Sequence, residues 1–125
     1  MSVTLHTSLG ELKIEVFCEA VPQAAEGKPF GDEIRATLKF NARGIVAMAN
    51  SGPDSNKAQF FITYSKQSHL DAKYTIFGRV IDGADTTLDA MERTPVNEKN
   101  RPLHEIKVIG VTIHANPIAA ASLNA

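Results

Sequence analysis

The chain has 125 residues, 43% of them hydrophobic, with 13 basic against 14 acidic side chains and a net charge of -1. That length and apolar content fit one globular domain with a core of its own and exclude wholesale disorder. Balanced charge without long runs of one sign argues against a module held to nucleic acid by phosphate contacts, and no apolar run is long enough to cross a bilayer as a helix.

The opening residues predict a β-hairpin. Val3, Leu5 and Thr7 alternate with Thr4 and His6, Ser8-Leu9-Gly10 supplies a turn, and Leu12, Ile14 and Val16 alternate with Glu11, Lys13 and Glu15. Cys18 is the single cysteine and has no partner for an internal disulfide. With no charged-then-apolar leader ahead of the hairpin, it predicts an intracellular, reducing compartment, where a small buried hydrophobe is its expected role. From Glu19 to Lys39 the period dissolves among two prolines, two glycines and scattered charge. A loop is expected there, with a short helical turn near Gln23 to Glu26, although a loop of that length inside a compact domain is uncommon.

Gly44 to Ala49 reads as a short apolar strand, followed by the turn residues Ser51-Gly52-Pro53-Asp54-Ser55-Asn56. Gln59 to Tyr64 is a second strand and Tyr74 to Ile81 a third, with Gly78 marking a bulge or a close backbone approach. Ala84 to Arg93 is read as a helix with Leu88 and Met91 on one face, Asp85 as its cap and Pro95 as its stop. Lys107 to His114 alternates again, placing Ile109, Val111 and Ile113 on one side, and the alanine-rich stretch from Pro117 to Ala125 is expected to fray. About six strands joined by short connections, with one helix, suggest an antiparallel barrel or sandwich.

Most catalytic and metal-binding classes can be set aside. His6, His69, His104 and His114 are scattered and Cys18 stands alone, so no metal-ligand spacing is present. Ser51, Ser55 and Ser65 lack the surroundings of a nucleophile elbow, and no phosphate or dinucleotide loop occurs. Asp71 and Glu92 are expected to be solvated surface charges. The informative stretch is AMANSGPDSNKAQFFITY, residues 47–64. In a strand, Gln59, Phe61 and Thr63 share one face and Phe60, Ile62 and Tyr64 the other. The second set is the natural core face. The first pairs an amide with a large aromatic beside a loop, as an edge strand with an incidental Phe or as a shallow apolar pocket with a polar rim.

That stretch resembles the cyclophilin signature, in which a Met-Ala-Asn strand end, a Gly-Pro-Asn/Asp loop and Gln-Phe-Phe-Ile follow in this order. HLDAKYTIFGRVIDG is similar to the family's Leu-Asp-x-Lys-x-x-x-Phe-Gly-x-Val segment, AMER to its second helix, and VTLHTSLGELKIEVFCEAVP to its first hairpin. HTSLGELKIEVFCE, PVNEK and VTIHANP point to the small cyclophilin J, or isomerase-like three, subgroup. The resemblance implies a mainly β fold, a cyclophilin-like antiparallel barrel, and peptidyl-prolyl cis-trans isomerase activity without metal or cofactor. It places a prolyl-peptide groove at Ala49, Asn50 and Ser51 at the entrance, with Gln59, Phe61, His69, Leu70 and Tyr74 beyond. By the same resemblance, Gln59 and the Asn50 backbone hold substrate carbonyls, while Phe61 and Leu70 floor the proline pocket. His69 stands where many members carry a Trp that contacts cyclosporin, so affinity for that drug is in question. Tyr74 replaces a frequent His.

The chain departs from the family in one further respect. It passes from VPQAAE to GKPFGDE, where the family carries a few dozen residues: a helix, a strand with Phe-His-Arg, and a Gln-x-Gly-Asp stretch. The expected fold is therefore an incomplete barrel, with about six strands and one helix instead of eight and two. Residues 1–116 would form the domain, shortened between about 25 and 28, and 117–125 a tail. The missing arginine is the family's donor toward the prolyl nitrogen, so no catalytic residue is assigned to this chain. Arg35 and Arg43 are expected to be solvated charges rather than substitutes for it. Impaired isomerisation in an X-Pro groove is the expectation, against a non-catalytic proline-peptide module or a truncated product with little function. Expected partners are proline-containing peptides or proteins, by subgroup resemblance including splicing-complex proteins, in the nucleus or cytoplasm.

Overall fold

The structure, a computed structural model, describes residues 1–17, 38–49 and 59–114. Cys18, the aperiodic segment with its Arg35, the turn-rich loop after Ala49 and the C-terminal tail lie outside the described residues. Six strands and one α-helix are described, and the hydrogen-bonded strand order is β4-β3-β5-β2-β1-β6. No helix among the described residues is long and apolar enough to cross a membrane.

The residues group into two compact units, Met1–Ile14 with Val80–Ala125, and Glu15–Arg79. In the first, the hairpin forms as its alternation predicts, from β1 (Ser2–Thr7) and β2 (Gly10–Val16). Leu5, Leu12 and Ile14 are buried, and Thr7 closes the turn by donating its hydroxyl to the Gly10 carbonyl at 2.6 Å. Thr4, which alternates with Leu5 along the strand, is buried as well, its hydroxyl 2.7 Å from His114 Nε2. Gly10 has a φ of +130°, and a Cβ there would stand 2.5 Å from the Thr87 hydroxyl. Gly83 has a φ of +95° and lies so close to β2 that a Cβ would meet the Glu11 carbonyl oxygen at 2.6 Å. Both positions therefore require glycine.

The helix α1 (Thr87–Arg93) is shorter than expected. Thr86, not Asp85, occupies the N-cap position, and no side chain caps the first turn. Leu88 is buried and Met91 partly buried, so the predicted apolar face is correct. Thr94 ends the helix by donating its N–H to the Met91 carbonyl and its hydroxyl to that of Ala90, one residue before Pro95. The last strand, β6 (Val108–Ile113), pairs antiparallel with β1, Leu5 opposite Val111 and Val3 opposite Ile113.

The second unit is built on β3 (Ile45–Met48), β4 (Phe60–Ile62) and the first residues of β5 (Ile76–Asp82). Strand β3 pairs antiparallel with both neighbours, setting Ala47 opposite Phe61 and opposite Ile76. The ladder to β5 shifts between Val46, opposite Gly78, and Ala47, opposite Ile76, so the irregularity expected at Gly78 falls beside it, at Phe77. Phe40, Ala47 and Ile76 form a buried cluster on which Phe61, Leu70 and Tyr74 pack. A second contact group gathers Phe17, Leu38 and Phe77 around Met48.

One face assignment is reversed. Phe60 and Tyr64, expected in the core, are exposed, whereas Thr63 is buried and Phe61 packs inward. Thr63 explains the orientation. Its hydroxyl donates to the Ala42 carbonyl at 2.9 Å and accepts the Ile45 N–H at 3.0 Å. A threonine whose only polar group is doubly satisfied is as acceptable inside as an apolar residue. With Thr63 turned inward, Phe61 must follow.

Candidate functional site

Strands β3 and β4 run together until the turn-rich loop leaves them, and there the Ala49 N–H donates to the Gln59 carbonyl at 2.9 Å. That bond places Ala49 and the exposed Gln59 side by side at the loop's mouth. Asn50 and Ser51, expected at the same entrance, lie outside the described residues. Two positions along from Gln59, Phe61 is held by rings on two sides. It stacks on Phe40 with centroids 5.8 Å apart and an interplanar angle of 10°, and meets Tyr74 edge to face at 5.3 Å and 86°. Such pairs contribute about 0.5–1.5 kcal/mol each beyond the area they bury.

Leu70 and Tyr74 come from the connection between β4 and β5. Ser68–Leu70 form a short 3-10 turn, continued by Asp71 N–H to Ser68 and Lys73 N–H to Leu70 carbonyl bonds. Ala72 takes a left-handed φ of 62°, after which the chain re-enters an extended course toward β5. The turn leaves His69 exposed and directs Leu70 and Tyr74, both partly buried, onto the Phe40, Ala47 and Ile76 cluster. Phe61, Leu70 and Tyr74 thus share one apolar floor, with the Gln59 amide as a polar group at its strand end.

Arg43 does not take part in this floor. Its guanidinium donates to the Tyr64 carbonyl at 3.0 Å and lies 5.7 Å over the Tyr64 ring. Gly44, its neighbour, donates its N–H to the Thr63 carbonyl, so Arg43 sits at the end of the β3–β4 ladder opposite Ala49 and Gln59. It is a bonded cation in a cation–π contact, not a freely solvated charge. Arg79 is likewise engaged, 2.8 Å from Glu15.

Two residues escaped the sequence analysis. Phe40, completely buried beneath Phe61, directly follows a stretch read as aperiodic. Its signal was the Leu38-Lys39-Phe40 alternation just ahead of β3. Asp71, expected as a solvated charge, is partly buried, and its carboxylate accepts the Phe40 N–H at 2.7 Å. Nothing in the local sequence distinguishes it from a surface carboxylate.

The family model for cyclophilin type peptidyl-prolyl cis-trans isomerase/CLD matches residues 24–113. The chain belongs to the cyclophilin-type peptidyl-prolyl cis-trans isomerase family. Among its relatives in that family, the peptidyl-prolyl cis-trans isomerase-like 3 protein of Rhizopus delemar is 51% identical over 170 residues, covering 98% of this chain and 100% of that protein. The human protein of the same description is 45% identical over 161 residues, with 95% and 99% covered. Both alignments are longer than the 125 residues of this chain, so the relatives carry stretches with no counterpart here. A cyclophilin type isomerase of Cryptosporidium parvum, crystallised in the presence of the dipeptide Ala-Pro, superposes with a TM-score of 0.85 at 31% identity. That match covers 93% of this chain and 100% of the other. A cyclophilin-like, mainly β fold with six described strands and one helix is therefore established.

Proposed function

We propose that the face carrying Gln59, Phe61, His69, Leu70 and Tyr74, entered past Ala49, Asn50 and Ser51, binds X-Pro segments of peptides or proteins. The observation that carries this reading is Phe61, clamped between Phe40 and Tyr74, with Leu70 packed on the same buried cluster. A rigid apolar floor of this kind suits a pyrrolidine ring, and a single amide at its edge suits the carbonyls on either side of it. The Ala-Pro dipeptide used with the Cryptosporidium relative belongs to the same chemical class.

The reaction of this family needs no nucleophile. Rotation about X-Pro is slow because the amide is conjugated, with a barrier of about 18–20 kcal/mol, and unassisted exchange takes roughly tens to hundreds of seconds. A groove lowers that barrier only through contacts that strengthen in the twisted state. The family's guanidinium, aimed at the prolyl nitrogen, is such a contact, and loss of one comparable donor costs about 10²–10³ in rate. In this chain the segment expected to bear it is missing between about residues 25 and 28, and Arg43 and Arg79 are bonded elsewhere. Binding is retained and turnover is impaired.

Binding is tested by titrating an Ala-Pro-containing peptide while following the protein's amide and ring proton signals. Saturable shifts at Gln59, Phe61 and Tyr74, lost in Phe61→Ala, are expected. Shifts absent from these residues in the folded protein would reject the groove.

A further inference from the structure

We infer that Asp71 is a positioning residue for this groove: its carboxylate sets Phe40, and through Phe40 the ring of Phe61, against Leu70 and Tyr74. The inference rests on the binding role proposed above and concerns the same face.

Phe40 lies outside every strand, yet it is completely buried, so its backbone polar groups need partners that no ladder supplies. Both partners come from one short segment. Asp71 Oδ1 accepts the Phe40 N–H at 2.7 Å, and the Gln67 N–H donates to the Phe40 carbonyl at 2.8 Å. The first bond is charge-assisted and correspondingly short. Between these two anchors sits the turn Ser68–Leu70, which carries His69 and Leu70, and three residues past Asp71 comes Tyr74. The backbone of that turn holds the carboxylate in place through Asp71 N–H to the Ser68 carbonyl at 3.1 Å.

Phe40 is also the ring on which Phe61 lies flat, at 5.8 Å and 10°. The carboxylate therefore links two chain segments that must agree for the floor to exist. One brings Leu70 and Tyr74; the other brings the support under Phe61. Removing the acceptor frees the Phe40 backbone, and the buried N–H then moves toward another acceptor or water. The stacked ring moves with it, and the edge-to-face contact of Phe61 with Tyr74 loses its geometry. Asp71 never needs to touch the peptide to do this.

The test compares Asp71→Ala, Asp71→Asn and Asp71→Glu in the full chain. Asn keeps an acceptor oxygen at the same reach; Glu keeps the charge but moves the acceptor outward by one methylene. Three signals are followed: the Phe40 amide proton, the ring protons of Phe61 and Tyr74 in free protein, and the affinity for an Ala-Pro-containing peptide. Asp71→Ala and Asp71→Glu are expected to move the Phe40 amide and both rings and to weaken the peptide by roughly tenfold, the factor an ordinary lost hydrogen bond produces. Asp71→Asn should restore ring positions and affinity. Should Ala not fold, the Glu and Asn pair carries the comparison. Ring signals that stay in place in the Ala or Glu variant overturn the inference. So does unchanged affinity in such a variant when the parent protein binds. A merely structural carboxylate would lower the melting temperature while leaving ring shifts and affinity of the folded fraction as they were. If the parent protein binds no peptide, the groove reading fails by itself, and the Phe40, Phe61 and Tyr74 signals alone decide the role of Asp71.

Discussion

Strands β1 and β6 lie side by side in one ladder, and residues opposite each other in such a ladder point to the same face. Leu5 of β1 is 7% exposed, yet Val111, its partner on β6, is 54% exposed. Ile113, opposite the partly buried Val3, is 68% exposed, and Ile109 of the same strand 73%. Two strands with the same alternating pattern thus differ in what covers them. Alternation records which side chains share a face, but cover is supplied by other parts of the chain. β6 ends the described strand order, and its apolar side chains stay open where those of β1 are closed over.

The contrast is sharpened most by truncating buried against exposed apolar side chains. Leu12→Ala, at a residue 1% exposed, should cost about 2–5 kcal/mol in denaturant unfolding. Val111→Ala should cost less than about 0.5 kcal/mol. Equal losses would mean that β6 is covered after all. Next in size is Thr63→Val, which keeps the shape but strands the Ile45 N–H and the Ala42 carbonyl, for an expected loss of about 1–3 kcal/mol. A neutral result would break the account of why β4 turns Phe61 inward. Smallest in stability is Ile109→Lys, within about 0.5 kcal/mol. Its effect should appear instead as reduced concentration-dependent light scattering, because an uncharged, exposed strand at the end of the described order invites pairing with other chains.

The same contrast explains what was legible in the sequence. The hairpin could be read because Leu5, Leu12 and Ile14 are covered, so pattern and burial agree. Strands β3 and β5 and the apolar face of α1 were legible for the same reason. The faces of β4 were not, because Phe60, Phe61 and Ile62 are three apolar residues in a row and carry no alternation. The deciding residue was Thr63, whose burial depends on two backbone partners distant in sequence. In the candidate site, strand alternation singled out Gln59 and Phe61 as one face, and resemblance to a family added Leu70 and Tyr74; packing brings Phe61, Leu70 and Tyr74 onto one cluster. Asp71 was missed because a bond spanning 31 positions leaves no local trace, and Phe40 because the Leu38-Lys39-Phe40 alternation is too short to stand out behind an aperiodic stretch.

The central claim is that this family member holds an X-Pro groove whose turnover is impaired. Exchange spectroscopy on an Ala-Pro-containing peptide, with protein present at catalytic concentration, tests it most directly. The predicted result is a cis-trans exchange rate close to that of free peptide, roughly once in tens to hundreds of seconds, although the same peptide perturbs the Phe61 and Tyr74 ring signals at higher protein concentration. Exchange accelerated many-fold at catalytic concentration, and abolished by Phe61→Ala, would contradict it.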